Sequence, residues 1–140
     1  MKKSIKDKPI SNILLPIHGA KNNSSPQDNP PVFSLWHIKD SHCVKKCVQE
    51  EKAAFADKLR ELSQLTWMQI MGTQRHGNGY EKIERSAINE TIPPHITEDV
   101  HIIAFRFYKK APMIGYRDPL NRSIFHIVWL DREYNVYNHG

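Results

Sequence analysis

A histidine stands in the middle of an otherwise apolar run, Ile124-Phe125-His126-Ile127-Val128-Trp129-Leu130. An imidazole titrates near neutrality and both gives and takes protons, so it suits general acid–base chemistry. Alternation along a strand puts His126 on the face of Ile124, Val128 and Leu130, opposite Phe125, Ile127 and Trp129. Just upstream, Ile114-Gly115-Tyr116-Arg117 reads as the partner strand, joined through the turn Asp118-Pro119-Leu120-Asn121 with proline in its favoured second position. Arg117 lies two residues from Gly115 and shares its face, and Gly115 leaves space for whatever it meets. The expected site is therefore one sheet face carrying His126 and Arg117, with Tyr137 and His139 from the chain end nearby.

That set suits metal-independent RNA cleavage. Such cleavage needs a base for the ribose 2′-OH, an acid for the leaving 5′ oxygen and a cation for the phosphorane. A guanidinium matches phosphate oxygens with its planar fork, and aromatic rings stack on unpaired bases. Arg106 and Tyr116 are expected to support substrate binding. So is the glycine-punctuated segment Arg75-His76-Gly77-Asn78-Gly79-Tyr80-Glu81-Lys82, through Arg75, His76, Tyr80 and Lys82. The bland alternatives are a satisfied core histidine at 126, a solvated strand-end charge at 117 and a mobile exposed loop at 75–82. No lysine–hydroxyl pair follows the loop, which argues against nucleotide hydrolysis. No GxSxG elbow, HExxH helix, dinucleotide fingerprint or zinc-finger spacing occurs, so no cofactor and no metal is expected. Cys43 and Cys47 stand four apart without further ligands at metal spacing, and read as two thiols on one helix face.

The elements that would hold these residues follow from pattern. Residues 1–31 read as a flexible extension: Asn22 to Pro31 is polar and proline-rich, with one apolar island at Ile10 and Ile13–Ile17. Val32-Phe33-Ser34-Leu35-Trp36 is a first strand. Asp40 and Ser41 can cap a helix whose apolar face repeats at Val44, Cys47, Val48, Phe55, Leu59, Leu62 and Leu65. A shorter helix runs from about Thr66 to Met71 and stops at Gly72. Strands follow at His101–Tyr108, Met113–Arg117 and Ile124–Leu130, with a last extended segment from Tyr134. The fold class is α+β: one strand, a helical hairpin, then an antiparallel sheet of three to four strands.

The chain has 140 residues, a formal net charge of +5 and a pI near 9.3, which favours an anionic partner, nucleic acid above all. No stretch approaches the ~18 apolar residues of a spanning helix, and charges interrupt any signal-like start, so a cytoplasmic location is expected.

This layout resembles the RelE/ParE-like toxins of bacterial type II toxin–antitoxin systems, over residues 32–140. The likeness lies in element order and in three segments: Ile114–Arg117, Ile124–Trp129, and Val136-Tyr137-Asn138-His139. It implies a toxin domain that cleaves RNA, including mRNA on the ribosome, without metal, and that a cognate antitoxin protein neutralises. It matches Arg117 to a phosphate-contacting arginine, His126 to a position where members often have a second arginine, and Tyr137 or His139 to the terminal catalytic position. The histidine at 126, the sparser basic residues and the 31-residue extension depart from the family pattern. Two alternatives remain open: a ParE-like module that inhibits by binding alone, and a basic nucleic-acid-binding protein.

Overall fold

Strand β5, Ile124–Leu130, is apolar at nearly every position because both of its faces are covered. In the computed structural model, which describes residues 25–73 and 78–138, β5 lies inside a five-stranded sheet. The other strands are β1 (Val32–Ser34), β2 (Glu81–Ile83), β3 (Ile102–Tyr108) and β4 (Ala111–Arg117). Their order is β1-β5-β4-β3-β2. The late strands β3, β4 and β5 pair antiparallel, as expected, as does β2 with β3, while β1 runs parallel to β5, so the sheet as a whole is mixed.

Helices α1 (Gln49–Ser63) and α2 (Trp67–Met71) cover one face. Phe55, Leu62, Trp67 and Ile70 pack there on Ile103, Phe105, Phe107, Phe125 and Ile127. Irregular segments cover the other face: Ile96, Val100, Val136 and Tyr137 pack on Ile102, Ile114, Val128 and Trp129. The fold class is α+β, as the element pattern predicts.

Several local expectations are corrected. Asp40–Cys47 is not the first turns of α1 but two 3-10 turns, Asp40–His42 and Val44–Lys46, separated by extended backbone at Cys43 and Cys47. The Lys39 amide donates to the Val128 carbonyl at 2.9 Å and Cys47 is drawn into the core, so packing overrides periodicity here. The helix starts where the Glu51 carboxylate accepts from the Val48 amide at 2.8 Å. Cys43 and Cys47 therefore do not share a helix face; both are free thiols.

The packed domain begins by Ser25 rather than at Val32. The Ser25 hydroxyl caps a 3-10 turn over Pro26–Asp28, and the buried Asn29 carbonyl accepts from the Trp67 amide at 3.0 Å. The island at residues 10–17 lies outside the described residues. Tyr134–Asn138 is no strand. The Asp131 carboxylate accepts from the Asn135 and Val136 amides at 2.9 Å each, and only an isolated bridge, Ile88 to Tyr137, remains.

The β4–β5 register shifts once. Ile114 pairs with Trp129 and Gly115 with Ile127, which leaves Val128 as an extra residue. Val128 and Trp129 consequently face the same way, and Leu130 joins Phe125 and Ile127 on the helix side. Simple alternation had placed Trp129 and Leu130 the other way round. Gly115 is also not beside open space. A Cβ there would lie 1.8 Å from the His126 carbonyl oxygen and 3.1 Å from the Ile127 Cα, both backbone atoms. Gly115→Ala must push the strands apart, and is expected to cost about 3 kcal/mol. Urea denaturation checks this through a lowered midpoint at unchanged slope.

Candidate functional site

The pairing of β4 with β5 decides where each candidate residue goes. Tyr116 pairs with His126, and Arg117 with Phe125. Residues directly opposite each other point to the same side of a sheet. His126 and Tyr116 therefore share the face away from the helices, while Arg117 goes with Phe125 to the helix side. The single surface expected to carry both Arg117 and His126 does not exist. Each joins a different group.

On the helix side, Arg117 lines a cavity of about 350 Å³. Its guanidinium carbon lies 4.0 Å from the centre of the Trp67 ring. Trp67 is fixed in turn by its Nε1–H, which donates to the Ser123 carbonyl at 3.1 Å. Arg117 Nε donates to the Arg122 carbonyl at 2.7 Å, whereas Nη2 is buried without a hydrogen-bond partner. Lys82, His101 and Arg122 line the same cavity, with Tyr80, Met71 and Ile103 as its aromatic and apolar walls. No carboxylate lines it among the described residues.

The electrostatics are one-sided. Arg117 is only 6% exposed. Burial, and then the Arg122 charge, pull its pKa down to about 10, so it stays cationic at neutral pH. A desolvated cation–π contact returns about 2 kcal/mol, while burying an unpaired ion costs several. The stacking on Trp67 does not offset that cost. An anion in the cavity would.

On the opposite face, His126 is fully buried and its Nε2 meets Asp118 Oδ1 at 2.8 Å. The other Asp118 oxygen accepts from the Leu120 and Asn121 amides at 3.0 and 2.9 Å, so one carboxylate both shapes the turn and orients the ring. His126 Nδ1 has no hydrogen-bond partner. Against this ring stand His37 and Tyr116, each with its centroid 5.0 Å away. The His95 centroid is 4.2 Å from that of His37, and its Nε2 lies 3.0 Å from the Tyr116 hydroxyl. Burial, then the neighbouring His95 and His126, lower the His37 pKa to about 4 against the pull of Asp118. Burial and His126 lower His95 as well. Burial and then Asp118 raise Tyr116, which keeps its phenol protonated. At neutral pH His37 and His95 are thus uncharged imidazoles beside the Tyr116 phenol, a base and an acid in one place. No group of three His, Cys, Asp or Glu among the described residues is placed to hold a metal ion.

The expected residues divide accordingly. Arg117, Tyr80 and Lys82 meet at the cavity. His126 and Tyr116 meet in the histidine cluster. Tyr137 lies on the His126 face, but its hydroxyl donates to Glu81 at 2.8 Å, so it is not part of a shared catalytic set. Arg106 alternates with the helix-facing Phe105 and Phe107 and does not line the cavity. Arg75, His76 and His139 lie outside the described residues. His37, His95, His101, Asp118 and Arg122 were missed. Asp118 and Arg122 had the look of turn residues, and the three histidines are isolated in the sequence.

The cluster predicts an acid response. His37 belongs to the β1–α1 connection and faces His95 from the segment before β3, His126 from β5, and Tyr116 and Asp118 from β4 and its turn; Lys39 bears on His95. A base with a depressed folded pKa binds fewer protons than the unfolded chain between the two values, so stability rises with pH there. Stability is expected to be full above about pH 6.5 and to fall as pH drops toward 4. His37→Phe should flatten that slope, read from urea midpoints at half-unit pH steps. Comparison with family models, with curated proteins and with solved structures returns no significant match.

Proposed function

We propose that the protein binds RNA by taking a phosphate into the Arg117 cavity. One observation carries this reading: a buried, charged guanidinium lines a cavity together with Lys82, His101 and Arg122, and no carboxylate lines it among the described residues. Phosphate is the anion that a planar guanidinium fork and a nearby lysine are built to hold. Tyr80 in the wall supplies a ring for an unpaired base, and the formal charge of +5 assists encounter. Arg117 here is a binding residue and has no part in a joint mechanism with His126.

Fluorescence anisotropy with single-stranded RNA tests this. Three phosphate-contacting cations predict an affinity loss of roughly tenfold or more between 50 and 200 mM salt. Lys82→Ala and Arg122→Ala change exposed side chains and should fold normally, yet each should weaken binding several-fold and reduce the salt slope by about 0.7. Binding that ignores both substitutions would remove the cavity from the interface.

A second reading is favoured by the histidine cluster: the metal-independent endoribonuclease of a toxin–antitoxin pair. His37, His95 and Tyr116 would supply the base and acid, with His126 held behind them by Asp118. Incubating RNA with the protein in EDTA decides it. Cleavage that disappears in His37→Ala and His95→Ala, with RNA binding retained, supports the reading; intact RNA with folded wild-type protein refutes it.

A further inference from the structure

Resting on that RNA-binding reading, we infer that the Arg117 cavity takes a terminal phosphate monoester, not an internal phosphodiester. Charge is the first argument. Arg117, Arg122 and Lys82 are permanent cations at neutral pH and His101 is a fourth, titratable group, with no carboxylate among them. A phosphodiester brings one negative charge, whereas a monoester brings about 1.5 to 2 at pH 7 and better matches this excess. Oxygen count is the second. Arg117, 6% exposed and backed by Trp67, lines the cavity with Lys82, His101 and Arg122, which are exposed. A monoester leaves three unesterified oxygens for these cations, whereas an internal diester leaves two.

Size and preorganisation agree. About 350 Å³ is near the lower end of small-molecule sites, enough for one nucleotide and too little for a looped strand. The Arg122 carbonyl already accepts from Arg117 Nε and Trp67 backs the guanidinium, so the group is held in place without further ordering. Tyr80 lines the same cavity and offers a ring on which a terminal base could stack. A phosphorylated RNA end and a free mononucleotide share this chemistry.

The test uses the full chain and three labelled RNAs of one sequence: 5′-phosphorylated, 3′-phosphorylated and hydroxyl at both ends. AMP, adenosine and inorganic phosphate serve as competitors. At least one phosphorylated RNA should bind about tenfold or more tightly than the hydroxyl form. AMP should compete and adenosine should not. The preference should vanish in Arg117→Met, and also in Lys82→Ala/Arg122→Ala, whose exposed sites spare the fold if Arg117→Met does not. Equal binding of all three RNAs with no competition by AMP overturns the monoester inference and leaves the RNA-binding reading standing. AMP binding without any RNA binding overturns the RNA reading and identifies a free nucleotide as the ligand. No binding of RNA or AMP removes both.

Discussion

The approach of β5 to Gly115 is the constraint on which both sites depend. With no side chain at 115, the backbone of His126 and Ile127 closes on β4 to a distance that any Cβ would block. The close approach sits beside the shift that leaves Val128 unpaired, and beyond it Tyr116 meets His126 and Arg117 meets Phe125. A different register by one residue would exchange the faces of the side chains on one of the two strands past that point. Either Arg117 would then leave Trp67 or His126 would turn into the aromatic core. The two sites are thus consequences of a single backbone fit.

This also explains what the sequence could and could not disclose. Strands β3 to β5, the α1 periodicity from Phe55 to Leu62 and the short α2 were readable, because each is long or strongly patterned, or is stopped by glycine. Gly115 and Arg117 were rightly placed on one face, since that follows from spacing within a strand. Their relation to His126 was not readable. It depends on how many residues the 118–123 turn consumes, and turn residues alone leave that open by one. His37 and His95 reach His126 from irregular segments, where no periodicity announces a partner.

The misread boundaries share a cause. Ser25–Pro31 has the composition of a linker, yet Asn29 is buried and holds α2 through the Trp67 amide. Asp40–Cys47 has helical spacing, yet Lys39 just before it is pinned to β5 at Val128 and the backbone breaks at both cysteines. In each case a few buried hydrogen bonds outweigh a local preference worth only tenths of a kcal/mol per residue. The segment around Asn29 matters to the site as well, because Trp67 underlies Arg117.

Arg117 and Asp118 are neighbours in the chain with opposite charges, and the nearest counter-ion for a buried guanidinium would ordinarily be sought there. Alternation at the end of β4 forbids it. Arg117 turns to the helix side, and Asp118 turns to His126 and to the Leu120 and Asn121 amides, where both its oxygens are engaged. Moving that carboxylate toward Arg117 would undo the turn and strip His126 of its partner. The fold therefore keeps a buried cation in the wall of a cavity while holding the adjacent anion away from it. A bound anion would neutralise that charge, and this geometry is what the proposed phosphate recognition rests on.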